Sequence, residues 1–394
     1  MTEPGAARRD ARAPRLGAVT LMIGQLGLGG TEKQVALLAA GLHARGVRTT
    51  VLVMFDGGPR EESLRASGVP VVHLGFRRRE AGRGRMLAAN VAAFARLVRH
   101  LRRCRPDVLH AFLYHSYVTA APAARLAGVH VLVAGRRSLG AFKEGRRLHL
   151  AVERVATRWT DLLIANALAV AEDTRRQESV PAEKITVVYN GLPDSAFEPA
   201  PPAPDAVPLQ VDSPLPVVLC VANLKSYKGH RHLLDAAARL DKRGRPCTLA
   251  LAGDGPERAD LERRAARLGL DVRFLGARTD VDRLLARADV VVLPSLHEGM
   301  SNAVMEAMAA GRPVVATEVG GTGELLRGGR GVLVPPADPA ALADGIDRLL
   351  ADPAAAARLA ARARAWCRAR AHVDAMVDEH IRIYQELLER TCAG

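Results

Sequence analysis

Two carboxylates, Glu298 and Glu306, stand eight residues apart in the segment Pro294-Ser295-Leu296-His297-Glu298-Gly299-Met300-Ser301-Asn302-Ala303-Val304-Met305-Glu306. The segment leaves an apolar run, Val290 to Leu293, and enters a helix stopped by Gly311 and Pro313. A helix that begins at the carboxyl end of a strand aims its free amides at the ligand end of the sheet. Here those amides belong to Gly299, Met300, Ser301 and Asn302, and with the helix dipole they form an anion site. Eight helical residues span about 12 Å, the reach from a sugar across a diphosphate to a ribose. Glu298 is then placed to meet a sugar, and Glu306 to accept hydrogen bonds from ribose hydroxyls. Glutamates at this separation also occur as ordinary acids flanking a helix. The strand before them, the glycine beside Glu298 and the clean stop after favour the chemical reading.

The cations that would answer such an anion are distinctive. The chain has six lysines against fifty arginines, and two of the six, Lys225 and Lys228, fall in Asn223-Leu224-Lys225-Ser226-Tyr227-Lys228-Gly229-His230. Arg136 and Arg137 follow the apolar run Val129 to Val133 and suit an anionic acceptor; solvated arginines in an arginine-rich chain are the alternative. The loop Gly24-Gln25-Leu26-Gly27-Leu28-Gly29-Gly30 permits close backbone approach to a ligand. Its spacing departs from the dinucleotide fingerprint, so no nicotinamide cofactor is expected. Asp280-Val281-Asp282 has the look of a metal pair, but it precedes Leu284-Leu285 and reads as a helix cap. No metal site is expected. The cysteines, Cys104, Cys220, Cys247, Cys367 and Cys392, are scattered, so neither a disulfide framework nor zinc follows and a reducing cytoplasm is the expected setting.

Two α/β halves must position these groups. The first opens with the strand Ala18 to Ile23, the glycine loop, and a helix start where Thr31 and Gln34 form a capping box. Val51 to Met54, Val108 to Leu113, Val129 to Val133, Leu162 to Ala165 and Thr186 to Val188 continue it. The second half repeats the pattern with Val217 to Val221, Leu249 to Ala252, Val290 to Leu293, Val314 to Ala316 and Gly331 to Val334. The tail from about Ala340 to Leu388 is expected to be helical. Alternating strand and helix gives parallel sheets covered on both faces. The expected fold class is α/β, with two doubly wound Rossmann-like domains and a ligand cleft between them. The expected boundaries are a disordered tail at 1–15, a domain at 16–198, a Pro-rich linker at 199–216 and a domain at 217–374. The helix at about 375–394 is expected to pack back on the first domain.

Bulk properties narrow the partners. The chain has 394 residues, 48% hydrophobic and 4% aromatic, with a formal charge of +14. So few aromatics, with no recognisable motif, argue against a basic nucleic-acid binder that stacks bases, and no nucleic-acid partner is expected. The charge suits an anionic substrate or membrane surface. Between Met86 and Arg103, Leu87, Val91, Phe94, Val98 and Leu101 recur near helical spacing, with arginines on other faces. Such a helix lies on anionic lipid or forms a solvated outer layer, and both readings stand. The N-terminus lacks the apolar core of a secretory signal, and no apolar run approaches the ~20 residues of a membrane span.

The segment Pro294 to Glu306 resembles the Glu-x7-Glu signature of retaining glycosyltransferases of family 4, and the likeness runs from Gly24 to about Leu350. Val187-Val188-Tyr189-Asn190-Gly191 resembles the family's strand end before its linker, and Asn223 to His230 its phosphate-binding loop. Ala252-Gly253-Asp254-Gly255-Pro256 and Phe274-Leu275-Gly276 resemble the next two loops, and Gly320-Gly321 with Glu324 completes the pattern. The resemblance implies a GT-B fold and metal-independent transfer of a hexose-type sugar from a nucleotide-diphosphate donor, a UDP-sugar first, to a hydroxyl with retention of configuration. It implies no cofactor beyond that co-substrate. It assigns catalytic roles to Glu298, Lys228 and His115. Donor contacts fall to Gly29, Gly30, Asn223, Lys225, Lys228, Gly253, Gly255, Glu298, Gly299, Met300, Ser301, Asn302 and Glu306, and acceptor contacts to His110, Arg136 and Arg137. Asn223 stands where many members carry Arg, with Lys225 as the second positive charge, and Phe112 interrupts the family's His-x-His. The expected setting is bacterial polysaccharide, lipopolysaccharide or glycolipid assembly, in the cytoplasm or at the inner membrane face. The expected acceptor is a saccharide, a lipid-linked sugar or a small molecule. A scaffold that keeps the fold and binds without turnover is the alternative.

Overall fold

The computed structural model describes residues 16–77, 83–140, 147–198 and 211–393. The expected tail at 1–15 and residues 199–210 of the expected linker lie outside the described residues. Strands and helices alternate: β1 (Ala18–Ile23), α1 (Gly30–Ala44), β2 (Arg48–Val53), α2 (Arg60–Ala66), β3 (Val71–His73), α3 (Arg83–Cys104), β4 (Val108–Phe112), α4 (Tyr114–Ala127), β5 (Val131–Arg136), α5 (Arg147–Arg158), β6 (Leu162–Ala165), α6 (Leu168–Glu178) and β7 (Ile185–Val187). There follow β8 (Val217–Val221), α7 (His230–Lys242), β9 (Thr248–Ala252), α8 (Arg258–Leu268), β10 (Val272–Gly276), α9 (Val281–Arg287), β11 (Val290–Leu293), α10 (Asn302–Ala309), β12 (Val314–Thr317), α11 (Thr322–Leu326), β13 (Val332–Val334), α12 (Pro339–Ala351), α13 (Pro353–Arg370) and α14 (Val373–Ala393).

The first sheet has the order β3-β2-β1-β4-β5-β6-β7 and the second β10-β9-β8-β11-β12-β13. β1 pairs in parallel with β2 and β4, and β8 with β9 and β11. In each sheet the chain winds to one edge, returns beside its first strand and winds the other way. That reversal is a topological switch point, where loops diverge and leave a crevice at the carboxyl ends of the strands. It falls between β1 and β4, and again between β8 and β11.

The chain forms two compact units, Met1–Gly135 with Val152–Leu163 and Val377–Gly394, and Arg136–Ala151 with Ile164–Met376. In the first, α14 meets α1: a Cβ on Gly41 would stand 2.5 Å from Val377 Cγ2, and Arg45 Nε donates to Asp378 at 2.8 Å. In the second, alternate residues of β8 serve opposite faces. Val217 and Leu219 pack with Val304 and Met308 of α10, whereas Val218 and Cys220 pack with Leu233 and Leu234 of α7. Among the described residues no helix is long and apolar enough to cross a membrane.

Several local expectations are corrected. α1 begins at Gly30 with Gly29 as its cap and no side-chain cap bond, so Thr31 lies inside the first turn and the capping box is not formed. On α3 the buried residues are Ala93, Leu97 and Leu101, while Leu87 and Val91 are exposed. Spacing fixes the helix but not the face that packs. Phe274-Leu275-Gly276 ends the strand β10, paired with β9, rather than forming a loop. The tail is helical as expected, in three helices, with Asp352 accepting from Ala355 N–H at 2.8 Å to start α13 ahead of Pro353.

Candidate functional site

In the second unit, the loops after β8 and β11 meet at the switch point. Leu296 N–H donates to the Tyr227 carbonyl at 2.8 Å. A Cβ on Gly229 would stand 1.9 Å from the Pro294 carbonyl oxygen, and Gly229 has φ 71°, so only glycine fits the turn before α7. This seam fixes the side chains it carries. Lys228 Nζ donates to Glu298 Oε1 at 2.6 Å, and Ser295 Oγ donates to the same oxygen at 2.8 Å. Lys228 and Glu298 are both largely buried.

Glycines bring further backbone against this seam. Cβ atoms on Gly253 and Gly255 would fall 2.0 Å from the Ala222 oxygen and 2.4 Å from the Leu224 oxygen, so the loop after β9 lies against the backbone of Ala222 to Leu224. A Cβ on Gly320 would meet the Glu298 oxygen at 1.9 Å, and Gly321 N–H donates to the Gly299 carbonyl at 2.7 Å. The main chain of Glu298 and Gly299 is thus gripped from outside its own segment.

α10 begins one step beyond. Ser301 is its cap, its hydroxyl accepting from Val304 N–H at 3.4 Å. The helix covers Asn302–Ala309, so Glu298 stands before it. The eight-residue span is therefore not helical throughout, because Gly299, Met300 and Ser301 form the turn that aims the helix at the crevice. Glu306 lies in the second turn and is half-buried. Asn190 Nδ2 donates to Asn302 Oδ1 at 2.7 Å, and Arg137 Nη1 donates to Asn190 Oδ1 at 2.7 Å. A buried chain from Arg137 through Asn190 thus orients the first residue of α10.

Arg136 has a different place. β5 runs to Arg136 rather than ending at Val133, so Arg136 closes the strand instead of following it. Its guanidinium and the Glu178 carboxylate are buried together, Nη2 to Oε2 at 2.8 Å. Asp280 precedes α9 as expected but makes no cap bond. Its carboxylate is held by Arg278 Nε and Nη2 at 2.8 and 2.7 Å, which draws its pKa below the ordinary value.

Burial shapes the ionisable groups around Lys228. His230, the first residue of α7, is 3% exposed, and among the described residues neither ring nitrogen has a hydrogen-bond partner. Burial, then the nearby Lys228 charge, pushes its pKa down to about 4, so the ring is neutral near pH 7. Burial pushes the Cys220 thiol up to about 12, which excludes it as a nucleophile.

The remaining expected residues belong to the first unit. Gly29 caps α1 and Gly30 is its first residue. His115 is exposed in the first turn of α4, its ring edge-on to Phe55 with centroids 6.1 Å apart. Leu113, which leads into α4, has φ 67°, a strained conformation for a bulky residue, and it sits at the β1–β4 switch point. His110 is wholly buried. Its Nδ1 lies 2.6 Å from the Tyr384 hydroxyl, and its ring stacks on Phe112 with centroids 4.0 Å apart.

Sequence reasoning missed Ser295, Asn190 and His230 as parts of the site. Ser295 stands three residues before Glu298 and His230 two after Lys228, so proximity was an available signal. The link from Asn190 to Asn302 spans 112 residues and had none.

Residues 28–195 match the family model described as Glycosyltransferase Family 4, and residues 215–352 match that described as Glycosyl transferases group 1. The chain is similar to the alpha-D-kanosaminyltransferase of Streptomyces kanamyceticus, 32% identical over 244 residues that cover 60% of this chain and 63% of that relative, less than two thirds of its length. It is similar to the lipopolysaccharide core biosynthesis glycosyltransferase LpsE of Rhizobium meliloti, 30% identical over 338 residues, 85% of this chain and 89% of that protein. A crystal structure of Anabaena Alr3699/HepE in complex with UDP matches with a TM-score of 0.79 and 25% identity, over 94% of this chain and 100% of that one. With its two Rossmann-type sheets and its glycine-gripped Lys228–Glu298 seam, the chain belongs to glycosyltransferase family 4 and has the GT-B fold.

Proposed function

We propose that the chain transfers a hexose-type sugar from a UDP-sugar to a hydroxyl acceptor, with retention of configuration and without a metal, in the assembly of a bacterial polysaccharide, lipopolysaccharide or glycolipid. The observation that carries this reading is the Lys228–Glu298 pair at the β8–β11 switch point, one turn ahead of α10. The likeness to a protein solved with UDP and to a lipopolysaccharide core enzyme supports the donor and the setting.

In this reading the diphosphate rests on the amides of Gly299 to Asn302 and draws the Lys228 ammonium to itself. Lys228 then stabilises the charge that grows on the departing phosphate oxygen. Glu298, still steadied by Ser295, accepts from sugar hydroxyls, and Glu306 from ribose hydroxyls. The acceptor oxygen bonds to the anomeric carbon as the carbon–oxygen bond to phosphate breaks on the same face. The hydroxyl proton passes to that phosphate oxygen, so no enzymic base is required.

Thermal unfolding with UDP, GDP, ADP and TDP, without metal, tests the donor. A ligand at a hundred times its dissociation constant adds about 2.7 kcal/mol. UDP should stabilise the wild type and not Glu306→Ala. Indifference to all four nucleotides would overturn the donor reading and favour the scaffold that binds without turnover. NMR of the product tests retention: an α-linked product from an α-linked donor is expected, and inversion would overturn the same-face step.

A further inference from the structure

Helix α5 is built inside out. Its buried side is Glu153, Ala156 and Thr157, with Thr160 just past its end. Its outer side carries Val152, Val155 and, one residue past its end, Trp159, exposed by 39%, 45% and 40%, with Leu148 one turn earlier at 74%. Spacings of four, three and four place these side chains on one stripe, opposite Glu153 and Thr157. A solvated outer helix has the reverse arrangement. Other exposed apolar residues stand singly, as Leu28, Leu168 and Leu268 do, or as a pair, Leu87 and Val91 on α3. The only acid on α5 is the inward Glu153, while Arg154 and Arg158 are exposed.

The charge along the sequence points the same way. Residues 1–150 hold 25 of the 56 lysines and arginines but only 9 of the 42 acids, whereas residues 151–394 hold 31 and 33. A coding bias toward arginine would raise the balance throughout. The surplus is instead confined to the stretch that leads into α5.

We propose that α5 docks the protein on a bilayer rich in anionic lipid. Val152, Val155 and Trp159 enter the boundary between headgroups and acyl chains, and Arg154 and Arg158 stay at the level of the phosphates. Apolar burial and attraction between arginine and anionic lipid add at such a surface, and tryptophan favours that interface. A second copy of the chain fits less well, because it would bring the arginines of two stripes together. The proposal is independent of the donor chemistry.

The test uses the full chain with Trp366→Phe, which leaves Trp159 as the single tryptophan. Vesicles of phosphatidylcholine with phosphatidylglycerol should shift Trp159 emission to the blue and carry the protein down on sedimentation. Vesicles of phosphatidylcholine alone should do neither, and salt should release the protein. In the same background Val152→Ser with Val155→Ser should weaken partition about tenfold or more, with an unchanged circular dichroism spectrum. No binding to anionic vesicles, or undiminished binding by the serine variant, would overturn the proposal. Dimerisation in the ultracentrifuge that the serine variant abolishes, without vesicle binding, would assign the stripe to a second copy instead.

Discussion

Lys228 and Glu298 meet at 2.6 Å with little exposure to water. Such a pair adds little net stability, because desolvation offsets much of the attraction. On the proposed function its value is positional, since it holds an ammonium where negative charge would develop on the donor phosphate. Lys228→Ala is expected to lower kcat/KM by about 10²–10³-fold in steady-state turnover of the UDP-sugar. The double variant with Glu298→Gln should be no worse than the poorer single one, because the two groups act together. Losses that multiply would refute that coupling. His230 makes a separate, pH-linked prediction. Its folded pKa of about 4 lies below the ordinary 6.5, so the unfolded chain binds a proton that the folded chain does not. The resulting stability is complete above pH 6.5 and drains away as pH falls toward 4, by roughly 3 kcal/mol from this one group. Urea midpoints between pH 7 and 4 should fall more steeply for the wild type than for His230→Leu, and parallel curves would rule out His230 as the source. At this scale the sequence singled out Glu298 and Lys228, which stand at a strand end and beside a glycine and which the structure brings together. It did not reveal His230, whose neutrality comes from burial beside the α7 core, nor Asn190, whose partners are far along the chain.

Among elements, the loops at the switch point depend on close backbone contact. Gly229 and Gly244 test this as a matched pair, with φ 71° and 72°. Both oblige a side chain to take a left-handed conformation, which costs about 1–2 kcal/mol. They differ in what a Cβ would meet: the Pro294 oxygen at 1.9 Å for Gly229, and nothing within 4 Å for Gly244. Gly244→Ala should lower Tm by about 2–4 °C per kcal/mol lost and leave UDP affinity alone. Gly229→Ala should lower Tm at least twice as far and weaken UDP binding, because the seam that presents Lys228 to Glu298 must open. Equal shifts in a thermal scan, with UDP binding retained in both, would mean that the loops re-seat freely. Strands were the easiest elements to read, since a run buried on both faces is apolar throughout, and Val290 to Leu293 coincides with β11. Helix faces were harder. On α3 the apolar spacing marks a helix correctly, yet Leu87 and Val91 face outward. A sequence records which side chains share a face but not whether that face meets protein.

For the whole molecule, the formal charge of +14 acts at a distance that no single contact does. A nucleotide-sugar is an anion, so a basic protein raises its local concentration and its rate of arrival, and added salt removes the gain. The Debye length is about 10 Å at 0.1 M salt and 3 Å at 1 M. Between these limits long-range attraction is lost, while a largely buried pair such as Lys228 and Glu298 is screened far less. The expected result is a drop in kcat/KM for the donor of roughly tenfold across that range, with kcat nearly unchanged. The separation is informative because the two quantities draw on different charges. On the proposed function the arginine surplus of residues 1–150 would govern arrival, and the paired groups after β8 and β11 would govern the chemical step. A kcat/KM indifferent to salt would show that the surplus does not reach the donor's path and acts only at another surface, such as the one α5 presents. A kcat that fell in parallel would mean that the Lys228–Glu298 pair itself is open to bulk ions, against its burial.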